Sequence, residues 1–380
     1  MFTCRMPATV CYGENAMDQL PKLCKGAKTV AVFSDRGIEA SGILRKPLEI
    51  LANAGIAYQL LLDLPAEPTC DQAQQTAEAF RKLEAEAIVA IGGGSVMDIA
   101  KLCAITADGL CTVRELIDNP ALGHKSMITV MIPTTAGTGA EATPNAIVAV
   151  PEKELKVGIV SEEMIPDSVI LDGEMIRNLP SKIAAATGVD ALCHAIECYT
   201  SKAATPFSDM YALEALKLIF PNIQSACMDP DALQSKNAML LAAFYGGVAI
   251  ACSGTTAVHA LSYPLGGKYH IPHGAANAMM LMPVMRFNLP ACSEAFARVY
   301  DALGETGAAN EEEKAMRLLD RMEEIVHNLE IPVDLKSYGV TNDDLEDLVT
   351  AGMQVQRLLK NNLRPVTADD ARSLYMQRLP

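Results

Sequence analysis

The chain has 380 residues, half of them hydrophobic, with no tryptophan and few aromatic side chains. That is long enough for two domains with aliphatic, methionine-rich cores. A formal net charge of −15 weighs against nucleic acid or an anionic membrane as partner, because a field of that sign repels both. The eleven cysteines are scattered without a C-x-x-C pair, and Cys103, Cys193 and Cys198 fall within apolar helical patterns, where a free thiol packs as a small hydrophobe. With no signal-peptide core in the first residues and no uninterrupted apolar run of about 18 residues, the chain reads as soluble, reduced and cytoplasmic.

The first half alternates short apolar runs with amphipathic segments. Residues 29–33, 58–62, 87–91, 127–132, 146–150 and 169–171 read as strands, with helices ending near Ala52 and spanning 71–83. Ala87-Ile-Val-Ala-Ile91 shows no polar alternation, as expected of a strand covered on both faces. Strand–helix repetition of this kind predicts a parallel α/β domain over residues 1–180. After Pro180 the pattern becomes helical, at 183–200, 208–220, 232–250, 275–287, 311–328 and 343–358. Pro221, Pro230, Pro264, Pro272, Pro290, Pro332 and Pro365 are expected to mark the breaks. An all-helical domain over residues 181–380 follows.

Two loops of the first domain have cofactor chemistry. Gly92, Gly93, Gly94 and Ser95 follow a buried strand and open a helix, so backbone N–H groups and the helix dipole can face a pyrophosphate. A tight strand-to-helix turn uses glycine for steric reasons alone, so the loop is not decisive. Asp35, at the end of the first of these strands, is placed to bond a ribose 2′-hydroxyl and to repel a 2′-phosphate, or simply to cap the next helix. The run Pro133-Thr-Thr-Ala-Gly-Thr-Gly-Ala-Glu-Ala-Thr143 offers hydroxyls between glycines after another strand.

The second domain concentrates the histidines. Asp190 and His194 stand four apart in a helical pattern, on one face. His259 and His273 flank a stretch with prolines and glycines, predicted to form a loop across which the rings face each other. One carboxylate and three imidazoles suit a divalent ion such as Fe2+ or Zn2+. Taken singly, most pairs such as Asp190 and His194 are helix-surface contacts or satisfied core histidines.

Four collinear stretches, G-G-G-S-V-M-D-I-A-K at 92–101, P-T-T-A-G-T-G-A-E-A-T at 133–143, G-V-D-A-L-C-H-A-I-E-C-Y at 188–199 and H-A-L-S-Y-P-L-G-G-K-Y-H-I-P-H-G at 259–274, resemble the iron-containing (group III) alcohol dehydrogenase family over essentially the whole chain. The resemblance implies a Rossmann-like domain, an all-α domain and an active site in the cleft between them. It puts the metal on Asp190, His194, His259 and His273. Dinucleotide contacts would fall on Asp35, Gly92 to Ser95, Asp98, Thr134, Thr135, Thr138 and Lys156, with assembly into homodimers or larger oligomers.

The implied reaction is hydride transfer between a short primary alcohol or aldehyde and NAD(H), with the metal as Lewis acid. His270 is a candidate for the proton path, or a residue behind the ligands or on the surface. Many members carry histidine four residues after the third ligand, where this chain has Tyr263, a poor proton shuttle but a good donor. Relatives with a similar S-Y-P variation act on aldehydes bearing an acid group, of the 4-hydroxybutyrate, phosphonoacetaldehyde or sulfoacetaldehyde type. A polyol-phosphate dehydrogenase or cyclising synthase on the same scaffold needs a basic cluster that the helical half lacks. A non-catalytic dinucleotide sensor would more often close its metal with cysteines.

Overall fold

The computed structural model describes residues 3–153 and 155–380. These form two compact units, one of Arg5–Thr135 with Gly139–Leu179, the other of Pro180–Pro380 with Ala136–Thr138.

The first unit is built on a six-stranded parallel sheet. Its strands are β1 (Thr9–Tyr12), β2 (Thr29–Phe33), β3 (Ala57–Leu61), β4 (Ala87–Gly92), β5 (Ile128–Pro133) and β8 (Ser168–Leu171), in the order β1-β8-β5-β4-β2-β3. Every residue of β4 is buried, whereas β3 at one edge is largely exposed. One apolar cluster includes Val30, Val32, Val89 and Ile91 of the sheet, and a separate one joins the helices Cys70–Arg81 and Gly94–Ile105 to Ala146, Val148 and Ile159 outside it. From β2 the chain crosses to β3 on one side and then to β4 on the other. The sheet therefore reverses its winding between β2 and β4, and ligands of such sheets bind beyond the carboxyl ends at this switch. Ser34 ties the two ends together, its hydroxyl donating to the Ile91 carbonyl at 2.7 Å.

One strand behaves differently from expectation. Residues 145–150 form β6 (Asn145–Val150), paired antiparallel with β7 (Leu155–Val160) in a separate two-stranded sheet. Burial alternates along β6, with Ala146, Val148 and Val150 inward. That is the pattern of a hairpin packed on one face, not of a strand covered on both. β1 escaped the sequence reading because it is a four-residue edge strand with little buried surface.

The second unit packs long helices: Ser181–Tyr199, Pro206–Met228, Leu233–Ser253, Ala257–Tyr269, His273–Ala302 and Glu311–Asn328. Pro221, Pro264 and Pro290 do not break helices; each lies inside one, as does Pro283. A proline forfeits one backbone hydrogen bond and costs about 3 kcal/mol in an isolated helix. Here the helices carrying them bury many apolar side chains, and that burial offsets the cost. Residues 343–358 divide instead into a 3-10 turn and two short helices, Leu345–Gln354 and Gln356–Leu359. Leu233–Ser253 is long and apolar enough to cross a membrane by composition, but 61% of that stretch is buried within the protein, as in a core helix.

Candidate metal centre and dinucleotide edge

The Ser181–Tyr199 helix presents Asp190, His194 and Glu197 at positions 0, +4 and +7, one face of a 3.6-residue repeat. His259 and His273 sit on consecutive helices, not across a loop. Ala257–Tyr269 runs through Pro264, Gly266 and Gly267, and a short turn at His270 (φ 54°) and Pro272 leads into His273–Ala302. The helix carrying His273 meets the Ser181–Tyr199 helix at Gly274. A Cβ there would stand 2.2 Å from the Ala186 carbonyl oxygen, so only glycine permits the approach.

These elements bring the four sequence-predicted ligands together, with one donor atom of each within 4.8 Å of the others. Asp190 Oδ1 lies 3.8 Å from His194 Nε2 and 3.6 Å from both His259 Nε2 and His273 Nε2, and the His194 and His259 Nε2 atoms are 2.9 Å apart. Donors on one tetrahedral ion with bonds of about 2.0–2.1 Å stand roughly 3.3–3.4 Å apart. Spacing and donor chemistry both fit a single divalent ion.

Asp190, His194 and His259 are buried, while the His273 side chain is 38% exposed and forms the open side. Burial alone would raise the Asp190 carboxyl, but His194, His273 and His259 around it hold it far below the usual carboxylate range. Burial pushes His194 down, partly opposed by Asp190. It would do the same to His259, but Glu197 and Asp190 prevail and lift that ring to about 9.

Behind the ligands lie groups that fix them. His194 Nδ1 is 3.2 Å from the Gly137 carbonyl. Gly137 presses so closely on the ligand helix that a Cβ would meet Thr187 at 2.7 Å. Glu197 Oε2 bonds His259 Nδ1. Asn277, fully buried one turn after His273, donates to Asp190 Oδ1 at 2.7 Å while its carbonyl accepts from Ser262.

His270 is not among the four clustered residues. It caps the preceding helix with an exposed ring and makes no hydrogen bond to the four ligands among the described residues. Tyr263, one helical turn after His259, is half-buried with its ring 6.0 Å from that of His273.

In the first unit, Asp35, Gly92–Ser95 and Thr134–Thr135 all follow the carboxyl ends of β2, β4 and β5, neighbours in the sheet. Gly93 opens the Gly94–Ile105 helix without a side-chain cap, so its first N–H groups point to solvent or ligand. Asp35 does cap a helix, Oδ1 accepting from Ile38 N at 2.9 Å. Thr134 is buried with an unbonded hydroxyl. Thr138 is half-buried and groups with the helical unit.

Three other residues that the resemblance assigns to the cofactor are engaged within the protein. Ser95 Oγ donates to the Ala66 carbonyl, and Lys156 pairs with Glu67 at 2.7 Å. Asp98 accepts from Ile147 N at 2.9 Å and pairs with buried Lys101 at 2.9 Å. Lys101 in turn bonds the Ala140 carbonyl at 3.0 Å, Thr143 and the Asn145 carbonyl. Asp98 and Lys101 thus clamp the second polar loop to the helix of the first.

Family models match in both halves: iron-containing alcohol dehydrogenase over residues 7–173, and its Fe-containing C-terminal counterpart over 184–379. The chain belongs to the iron-containing alcohol dehydrogenase family. It is 31% identical over 369 residues to long-chain-alcohol dehydrogenase 1 of Geobacillus thermodenitrificans, covering 96% of this chain and 93% of that one. Sulfoacetaldehyde reductase of Bilophila wadsworthia is 32% identical over 357 residues, covering 93% and 92%. The crystal structure of sulfoacetaldehyde reductase from Bifidobacterium kashiwanohense in complex with NAD+ superposes with a TM-score of 0.89 at 26% identity, covering 100% and 98%. The chain is accordingly an oxidoreductase of the alcohol dehydrogenase class, in a family that works with NAD(H) and a divalent metal.

Sequence reasoning missed Glu197, Asn277 and the Gly137 carbonyl. Glu197 had a signal, because D-x-x-x-H-x-x-E keeps all three polar side chains on one face of an apolar helix. Asn277 had a weaker one, a polar residue one turn after a ligand in H-G-A-A-N. A backbone carbonyl leaves no trace in residue type.

Proposed function

We propose that this enzyme interconverts a short primary alcohol and its aldehyde with NAD(H), and that the substrate tail carries a hydrogen-bonding group. The four-donor cluster supports the reaction class. Asp190, His194, His259 and His273 would hold the ion, which when bound supplies a Lewis acid toward a substrate oxygen. The protein's own task is to keep Asp190 charged, to orient the imidazoles through Glu197 and Gly137, and to leave the His273 side open.

NAD over NADP is supported by Asp35. Its capping bond uses Oδ1, and Oδ2 makes no hydrogen bond among the described residues. A carboxylate beside the switch point bonds a ribose hydroxyl and repels a 2′-phosphate.

A polar tail is supported by the half-buried Tyr263 phenol beside His273 and by the similarity to sulfoacetaldehyde reductase. Two cations in the helical unit could have met an acid group, but each is engaged elsewhere. Lys268 pairs with Asp347 at 2.7 Å and Asp344 at 3.5 Å. Arg364 donates to the Phe287 carbonyl and lies 3.8 Å over its ring.

The test compares kcat/KM for butanal, 3-hydroxypropanal and succinic semialdehyde in wild type and Tyr263→Phe. Loss of one hydrogen bond should cost about 1 kcal/mol, roughly fivefold, for 3-hydroxypropanal and leave butanal unchanged. An equal fall for all three, carried by kcat, would assign Tyr263 to proton movement instead.

A further inference from the structure

We propose that Glu197 is a positioning residue that locks His259 into the one tautomer able to ligate a metal, its two carboxylate oxygens having separate tasks. The proposal rests on the reading of the four donors as a metal site.

Glu197 is wholly buried on the ligand helix, seven residues after Asp190 and three after His194. Its Oε1 accepts from Thr256 N at 3.0 Å, Thr256 Oγ1 at 2.7 Å and Val258 N at 2.8 Å. Thr256 precedes the Ala257–Tyr269 helix and makes no side-chain cap of its own. Oε1 thus satisfies N–H groups that a helix start leaves open. Oε2 faces His259 Nδ1. A carboxylate can only accept, so when the ring carries a single proton that proton sits on Nδ1 and the Nε2 lone pair faces Asp190, His194 and His273. One buried side chain therefore starts the helix that carries His259 and also sets the proton on that ring. Such partners typically govern metal affinity by about 10–100-fold.

The geometry makes Glu197→Gln a directed test. Three donors converge on Oε1, so the amide oxygen must take that place and the NH2 must face His259. An NH2 donates, which requires a bare Nδ1 and moves the ring proton to Nε2, onto the atom that should bind the ion. A nearly isosteric change thereby inverts the tautomer.

Two measurements read this without turnover. Long-range 1H–15N correlation on metal-free protein with labelled histidine, recorded at about pH 10 so that the ring holds a single proton, should show His259 protonated at Nδ1 in wild type and at Nε2 in Glu197→Gln. Chelator competition for Co2+ should show affinity weakened at least about tenfold in Glu197→Gln. Thr256→Val removes one bond to Oε1 without touching the tautomer and should bind Co2+ within about threefold of wild type.

An unchanged tautomer with unchanged affinity in the Gln variant would overturn the proposal. So would an equal loss in Thr256→Val, which would reduce Glu197 to a helix cap. Should the Gln variant fail to fold, Glu197→Asp carries the test: it must keep the Nδ1 proton, and a proton on Nε2 there overturns the proposal. If wild type takes up no Co2+ at all, the metal-site reading fails and the proposal with it. If wild type binds and the Gln variant binds equally, only the proposal fails.

Discussion

The metal cluster and the dinucleotide edge are made from different parts of the chain. Asp190, His194, His259 and His273 are side chains that converge from three packed helices, the first three backed by Asn277, the Gly137 carbonyl and Glu197. The edge of the parallel sheet offers chiefly backbone: helix-start N–H groups at Gly93 and Gly94 and the reversal between β2 and β4. Two buried carboxyls show the same contrast electrostatically. Asp190 is kept charged by imidazoles on every side. Glu141, 2% exposed in the first unit, has an unbonded Oε1 and is pushed up to about 7 by burial, with its own backbone N–H and Lys101 opposing only in part. Pairing fixes the charge of Asp190, whereas desolvation governs Glu141.

The largest expected effect breaks the helix contact that aligns the side-chain site. In Gly274→Ala the new methyl meets backbone, not a movable side chain, so His273 must shift relative to Asp190. Overpacking against a rigid neighbour costs about 3 kcal/mol. Thermal unfolding should show that loss together with a fall in bound metal, and an unaltered melting curve with full metal content would refute the close contact.

Next comes the buried carboxyl of the first unit. A folded-state pKa of about 7 against an ordinary 4.5 means the native state keeps this proton while the unfolded chain releases it. Stability contributed by this group is therefore complete below about pH 4.5 and is lost as pH rises to about 7, by about 3 kcal/mol. Glu141→Gln removes the penalty. Urea unfolding of both proteins should show the variant gaining about 2–3 kcal/mol relative to wild type between pH 5 and pH 8, whereas parallel pH curves would mean that Glu141 is solvated or paired.

The metal cluster was legible from sequence because its chemistry requires particular residue types at particular helical spacings. The dinucleotide edge was legible mainly as a position, the ends of three strands. The internal partners of Ser95, Asp98 and Lys156 were not, since only the folded chain reveals them: Ala66, Ile147 with Lys101, and Glu67. The fold class could be read from the alternation of strands and helices, but not β6, whose short apolar run hid the one-sided burial of a hairpin. Prolines misled for a related reason, since the burial that outweighs their local cost at Pro264 and Pro290 is tertiary.

The smallest effect belongs to Asp35, the side chain proposed to discriminate between cofactors at that edge. Asp35→Gly should weaken NADH binding by about 1.5 kcal/mol, roughly tenfold, through loss of a bond to a charged acceptor. It should also raise the relative affinity for NADPH as the repulsion disappears. Fluorescence titration with both cofactors reads this, and unchanged selectivity would leave Asp35 as a helix cap only.

The central claim, that four side chains of the helical unit hold one catalytic divalent ion, is tested most directly by elemental analysis alongside NADH consumption. Wild type should carry one ion per chain, lose turnover when stripped by chelator and recover it on adding Fe2+ or Zn2+. His259→Ala and His273→Ala should stay folded, with little bound metal and almost no turnover. Full turnover in protein shown to be metal-free would contradict the account.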